Sequence, residues 1–302
     1  MYAALRCEEF GPLKLEKVRN IMIKGGNSRK VINVKVGMIK RMFKWGASKQ
    51  LVPVYIYQGL QTLEGLRQGR SEAKERPPVK PVPELYVREV LPFTAPTIAV
   101  MIQVQLLTGM RSGELVIMRP CDIETSGKIW QYHPRHHKTE HHGIKRVVPL
   151  GPQVQQLIRP YLKRRLDAYC FSPAEVIVER LKLRHTQRKT PLSCGNVPGS
   201  SRKDNPEHTP GERYNTQNYY QAVQYAIQAY NEELKSCGII KDDSEAIKWT
   251  PHQLRHNAAT RIRKEISLDA ARALLGHRHL TMTDGYAELD ETLATDAALR
   301  FG

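Results

Sequence analysis

The sequence predicts a mainly α-helical chain with one small antiparallel β-sheet, an α+β arrangement in two parts. Three observations carry that expectation. Apolar residues recur at helical spacing through most segments. Two runs, "CDIETSGKIWQYHP" and "IKRVVPL", instead alternate and are rich in Ile, Val, Trp and Tyr, as strands are. Between the parts lies "RQGRSEAKERPPVKPVPE", which is charged, holds four Pro and has no hydrophobic period.

The elements follow in order. Residues 13–24 ("LKLEKVRNIMIK") carry apolar positions at helical spacing. A second helix is expected over 28–46, with Ser28 at its N-cap. There Ile32, Val36, Ile39 and Phe43 form one stripe, with Arg29, Lys30, Lys40, Arg41 and Lys44 off it. Those five bases read either as a solvated face or as candidates for DNA phosphates. A shorter helix is expected over 54–66. The parts are therefore 1–66, a helical unit; 67–83, a linker; and 84–302. The last opens with helices near 84–91 and 95–107 and a third from about Ser112, followed by the two strand runs. Helices resume at 152–166 and 173–183. Residues 185–213 hold almost nothing to bury and read as a long loop insertion. Further helices are expected over 216–236 and from Pro251 onward.

Composition narrows the partners. The 302 residues include 47 Lys and Arg against 30 Asp and Glu, a net charge of +17 and a pI near 9.7. That imbalance favours a polyanion, nucleic acid before an anionic membrane. No apolar run approaches the roughly 18 residues of a membrane span, and the start "MYAALRCEEFGPLK" lacks the regions of a signal peptide. A cytoplasmic protein with no membrane partner is expected. The five cysteines, Cys7, Cys121, Cys170, Cys194 and Cys237, are scattered and contain no CxxC. They read as reduced thiols, not as a disulfide framework or a Cys-based zinc site.

Four clusters carry candidate chemistry. In "TPHQLRH", Thr250 and Gln253 have capping-box spacing and Pro251 suits the first helical position. His252 and Arg255, three apart, then share one face at a helix N-terminus, where free N–H groups attract anions. In "LLTGMRSGEL", Arg111 falls at the turn between two helices, with Glu114 placed to hold its fork. In "PRHHKTEHHGIKRVVPL", Lys138 sits among His136, His137, His141 and His142. Doubled His on a hairpin point to opposite sides, and no Cys or well-spaced carboxylate completes a metal shell. A basic hairpin tip is the better reading, with Lys138 as a proton donor and Lys145 as its competitor. In "ALLGHRHLTMTDGYAEL", Gly276 suits the end of a helix, His277 follows it and Tyr286 comes nine residues later. Each cluster alone reads as ordinary packing or surface.

In that order and spacing, Arg111 in "TGMRSGEL", Lys138 on a hairpin, "HQLR", "LGH" and Tyr286 resemble the tyrosine recombinases, or phage integrase family. The resemblance spans roughly residues 80–300 and is interrupted by the 185–213 insertion. It implies a tyrosine-recombinase catalytic domain preceded by a small helical core-binding domain that clamps DNA. Three helices before the linker are fewer than the family's four or more, so that clamp is expected to be incomplete. The resemblance further implies site-specific cleavage and rejoining of double-stranded DNA through a 3′-phosphotyrosyl intermediate, with no metal and no nucleotide cofactor. Tyr286 would be the nucleophile. Arg111 and Arg255 would grip the non-bridging oxygens, and Lys138 would protonate the departing 5′-oxygen. His252 would assist proton transfer or hold the phosphate, His277 would hydrogen-bond the phosphate, and Glu114 would orient the arginines. A homotetramer on two DNA sites, joined through the C-terminal tail, is implied as well. Two alternatives stay open: a type IB topoisomerase-like enzyme, and a truncated, non-catalytic DNA-binding relic of a mobile element.

Overall fold

The structure, a computed structural model, describes residues 2, 4–136, 145–189, 191, 193 and 209–276. The chain divides into two compact units, Met1–Pro78 and Val79–Gly302.

The first unit is built on three α-helices. α1 (Pro12–Lys24) starts with Pro12 in its first turn, where a missing N–H is harmless. α2 (Arg29–Ser48) has Ser28 at its N-cap position, but the Ser28 side chain makes no capping hydrogen bond. α3 (Val54–Gln61) ends five residues before the expected 66, and Thr62 turns its hydroxyl back to the Gly59 carbonyl. The predicted stripe of α2 faces inward: Ile32, Val36 and Phe43 are buried and Ile39 packs beside them, with Leu15, Ile56 and Leu60 completing the core. Phe10 stacks on Phe43 with ring centroids 5.3 Å apart.

The stretch expected as an unpacked linker needs correction at both ends. Ala73 is buried in the core of the first unit. Ser28 and Lys74 form an isolated parallel bridge, and Arg29 pairs with Glu75. In the second unit, Val82 is buried and exchanges backbone hydrogen bonds with the Asn257 side chain, the N–H donating to Oδ1 at 2.9 Å. Single small apolar residues and backbone pairings leave no periodic trace, so composition alone reads this segment as solvated.

The second unit combines helices with a three-stranded antiparallel sheet. α4 (Glu84–Val90) is followed by a 3-10 turn, then by α5 (Pro96–Thr108) and the single turn α6 (Ser112–Leu115). β1 (Ile123–Glu124), β2 (Trp130–Tyr132) and β3 (Val148–Leu150) pair in sequence order, with Ile123 opposite Tyr132 and Trp130 opposite Leu150. α7 (Pro152–Ile158) stops short of the expected 166 and tightens into a 3-10 turn at Arg159–Leu162, where Pro160 cannot continue an α-helix. α8 (Pro173–Thr186), α9 (Thr216–Ser236), α10 (Pro251–Glu265) and α11 (Leu268–Leu275) follow. α8 thus runs into the expected 185–213 insertion; residues 190, 192 and 194–208 of that insertion lie outside the described residues. α5 is apolar on every side and is accordingly buried in the middle of the unit, against α7, α9 and α10. The core continues through Leu115, Tyr132, Val148, Leu150, Phe171, Tyr219, Trp249 and Leu254. Among the described residues no helix is long and apolar enough to cross a membrane.

Candidate functional site

The site is assembled where three helix ends meet: the turn after α5, the start of α10 and the end of α11. α5 ends at Gly109, whose φ of +63° is left-handed and whose missing side chain has a second reason. A Cβ there would lie 2.8 Å from Leu275 Cδ2 and 3.1 Å from Ala258 Cβ, so only glycine lets α5 end against α10 and α11. The turn is pinned from inside by Gln105, which is 1% exposed. Its amide donates to the Met110 carbonyl (3.2 Å) and to Ser112 Oγ (3.1 Å), and its carbonyl accepts from the Tyr219 hydroxyl (3.0 Å). Arg111 therefore projects from a rigid base.

Glu114 holds that arginine as expected from the spacing. Its Oε1 accepts from Arg111 Nη1 at 2.7 Å and its Oε2 from the Arg111 backbone N–H at 3.0 Å. The Glu114 side chain is 2% exposed, while that of Arg111 remains 24% exposed. Tyr132, buried in β2, donates to the Glu114 backbone carbonyl at 2.6 Å and ties the sheet to α6. Burial pushes the Glu114 carboxyl up, but the nearby Arg146 and the two groups of Arg111 outweigh it and hold it below the ordinary carboxylate value. Glu114 is thus an anion at neutral pH.

α10 begins as its sequence predicts. Pro251 occupies the first turn, and the Thr250 N–H donates to Gln253 Oε1 at 2.9 Å. Gln253 also donates to the Lys80 carbonyl at 2.9 Å. Arg255, on the same helix, is fully buried. Its Nη1 donates to the Gly109 carbonyl at 2.6 Å and its Nη2 to the Leu275 carbonyl at 2.8 Å. One guanidinium thereby joins the turn that precedes Arg111 to the helix end that precedes His277. His252 lies at the exposed start of α10, its ring 5.4 Å from that of His256 in an edge-to-face arrangement. Partial burial, then the positive charges of Arg255 and Arg111, lower its pKa below the ordinary histidine value. That coupling places His252 in the field of both arginines.

α11 is short and amphipathic, with Ser267 capping it by accepting from the Ala270 N–H at 3.0 Å. It ends at Gly276 in the left-handed region, the C-terminal signal read from the sequence.

One residue of the site was missed. Arg146, just before β3, is 8% exposed overall. Its Nη2 donates to the Leu274 carbonyl at 3.0 Å, its Nη1 to the Val147 carbonyl at 3.2 Å, and its Nε faces Glu114 Oε2 at 3.7 Å. The signal was present in "IKRVVPL". Arg146, Val148 and Leu150 share the phase of the alternation, and all three are buried while Lys145, Val147 and Pro149 are exposed. An arginine in phase with a buried strand face needs acceptors inside the fold.

The structure brings Arg111, Glu114, His252 and Arg255 together. Lys138, His277 and Tyr286 lie outside the described residues, as do His137, His141 and His142. Among the described residues no group of three or more His, Cys, Asp or Glu is placed to hold a metal ion. Of the bases proposed for DNA on α2, Lys30, Arg41 and Lys44 are exposed. Arg29 is engaged with Glu75, and Lys40 donates to the Leu63 carbonyl. Those two contribute first to the fold of their own unit.

Two arginines, one propped by a buried carboxylate, thus meet at a helix start that also bears His252. The family model described as "Phage integrase family" matches residues 94–292. The chain belongs to the phage integrase family, and its fold is that of the tyrosine recombinases. Its structure is similar to that of the Tn1549 transposon integrase in complex with a circular intermediate DNA, at 17% identity and a TM-score of 0.65, over 98% of this chain and 86% of that one. It is also similar to a lambda integrase dimer bound to a COC′ core site (16% identity, TM-score 0.60, 93% of this chain and 81% of that one). A third likeness is to the XerH site-specific recombinase bound to palindromic difH substrate (17%, TM-score 0.56, 96% and 72%). No curated protein sequence matches the chain.

Proposed function

We propose that the chain is a site-specific DNA recombinase of the integrase type, breaking and rejoining DNA strands through Tyr286. The observation that carries this reading is the meeting of "TGMR", "HQLR" and "LLG" at the two hydrogen bonds of Arg255, inside the stretch matched by the family. Support also comes from the neighbours of like fold, which are integrases and recombinases bound to DNA.

In this reading the Tyr286 oxygen attacks the scissile phosphorus, and the P–O5′ bond breaks. The products are a 3′-phosphotyrosyl link and a 5′-hydroxyl. Lys138 gives the departing oxygen its proton, and neutral His252 assists removal of the tyrosine proton or holds the phosphate. Arg111 and Arg255 stabilise the charge that grows on the non-bridging oxygens, with His277 as a further donor. A 5′-hydroxyl from the partner strand reverses the step. The covalent link conserves the bond energy, so the exchange requires no nucleotide. Fixed cations take the place a metal would otherwise fill. Lys30, Arg41 and Lys44 of α2 would meet DNA phosphates. Strand exchange between two duplexes calls for four copies of the chain, joined through the C-terminal tail. A lambda integrase tetramer is known on a Holliday junction.

The test is covalent trapping. The protein and a Tyr286→Phe variant are incubated, without metal, with nicked DNA carrying the ends of the host element. An SDS-stable protein–DNA band from the parent and none from the variant is the expected result. No band from either, while a gel shift still reports binding, would overturn the recombinase reading in favour of a non-catalytic DNA-binding protein.

A further inference from the structure

We infer that Arg146 is a positioning residue for strand cleavage: it steadies Glu114, and through it the Arg111 fork, while anchoring the end of α11 from which the chain runs on to His277. This rests on the recombinase reading above.

The geometry separates Arg146 from Arg111, the partly open arginine of the pair around Glu114. Two of the Arg146 nitrogens donate to backbone carbonyls, Val147 at 3.2 Å and Leu274 at 3.0 Å, while Nε makes no hydrogen bond and faces Glu114 Oε2 at 3.7 Å, an ion-pair separation. Its side chain is 6% exposed, against 24% for Arg111. A buried guanidinium is tolerated only with such partners, and the Glu114 carboxylate is the nearest opposite charge. Glu114 is therefore shared between two arginines, one turned inward and one still partly open. Removing the inward one leaves the carboxylate with a single partner and frees it to shift.

The second contact is with glycine. A Cβ built on Gly276 would lie 2.5 Å from Arg146 Nη1, 3.0 Å from Cζ and 3.2 Å from Cδ. The guanidinium thus occupies the space a Gly276 side chain would need, and its bond to the Leu274 carbonyl ties it to the end of α11. Gly276 also has a φ of +65°. The residue immediately after it is His277, and Arg146 follows Lys138 by eight positions on the hairpin chain. One side chain therefore links the end of the helix that precedes His277 to the carboxylate that holds Arg111. Misplacing reacting groups by about 1 Å costs on the order of 100-fold in rate.

The experiment measures single-turnover cleavage of nicked DNA, DNA affinity and the unfolding midpoint for the parent, Arg146→Met and Arg146→Lys. Glu114→Gln is examined alone and combined with Arg146→Met. Arg146→Met is expected to lower the cleavage rate by on the order of 100-fold at nearly unchanged DNA affinity, and Arg146→Lys to recover about a tenfold part of that loss. Because the two act as one unit, the double variant is expected to be little slower than the worse single variant. A merely structural role would lower the unfolding midpoint and leave the rate of the folded fraction at the parent's value, which overturns the inference. So do losses that multiply in the double variant, or a loss carried wholly by weaker DNA binding, the mark of a phosphate ligand. Should Arg146→Met fail to fold, Gly276→Ala displaces the same guanidinium without removing its charge. Slower cleavage at parental affinity then supports the inference, and parental cleavage overturns it. A parent that forms no Tyr286-dependent band fails the recombinase reading and takes this inference with it. A parent that cleaves beside variants that cleave equally well fails the inference alone.

Discussion

Arg255 donates a 2.6 Å hydrogen bond to the carbonyl of Gly109, a residue 146 positions earlier in the chain. With its bond to Leu275, this makes Arg255 part of the framework as well as of the proposed site. The two arginines should therefore respond differently to truncation. Arg255→Ala leaves two buried carbonyls without their donor, at about 1–3 kcal/mol each. Arg111→Ala removes a side chain that is partly open already. Urea unfolding of both variants is expected to show a clearly larger loss for Arg255→Ala, with cleavage abolished in both. Equal stabilities would mean that the Arg255 bonds contribute nothing net.

His252 should titrate below an ordinary histidine. Burial and two neighbouring cations disfavour its charged form, so its folded pKa lies below its unfolded one. The sign follows: its contribution to stability is present above the unfolded value and falls away as the pH drops toward the folded one. An NMR titration of the free protein is expected to place His252 below 6.5, and Arg111→Ala to move it upward. A titration at or above the ordinary value would refute the assignment of its surroundings.

Glu114→Gln should be costly in both stability and rate. The carboxylate is 2% exposed and faces Arg111 and Arg146. Breaking a buried pair from one side costs about 3–5 kcal/mol, because the remaining charge stays buried. The folded pKa of Glu114 is depressed, so this stabilisation holds above its unfolded value and is lost as the pH falls through the folded one. The stability of the parent should accordingly fall steeply as the pH drops through the carboxylate range, while Glu114→Gln, already less stable at neutral pH, should show a flatter acid limb.

Gly109→Ala tests the joint between helices. The substitution meets both a left-handed backbone and a contact of 2.8 Å to Leu275. A loss of more than about 1 kcal/mol is expected in thermal or urea unfolding. Gly26, also at positive φ but with nothing within 4 Å of its missing Cβ, is the control and should lose less.

Lys138 and Lys145 compete for the role of general acid. Replacing the bridging 5′-oxygen of the scissile phosphate by sulfur creates a leaving group that needs no proton. If Lys138 is the acid, Lys138→Ala cleaves ordinary DNA at least 100-fold more slowly, a typical general-acid contribution, and recovers on the sulfur substrate. Lys145, exposed beside Arg146, should show neither effect. The reverse pattern would transfer the role to Lys145.

The sequence by itself determined the class of this protein, because the signals involved are local. Capping at Thr250 and Gln253, the left-handed stops at Gly109 and Gly276, the inward stripe of α2 and the alternation around Tyr132 and Val148 each depend on neighbours a few positions away. The order and spacing of Arg111, Lys138, "HQLR", "LGH" and Tyr286 then carried the resemblance to the family. The tertiary structure decided what the arginines do. Arg111 is propped by a carboxylate three residues on, which spacing can suggest. Arg255 and Arg146 instead find backbone carbonyls 146, 20 and 128 positions away. A carbonyl carries no sequence signature, since every residue has one. Only folding brings particular carbonyls within reach of a buried guanidinium: the alternation in "IKRVVPL" marks Arg146 as inward-facing but not its partners, and Ala73, a single small residue in a segment that looks like linker, leaves no periodic mark.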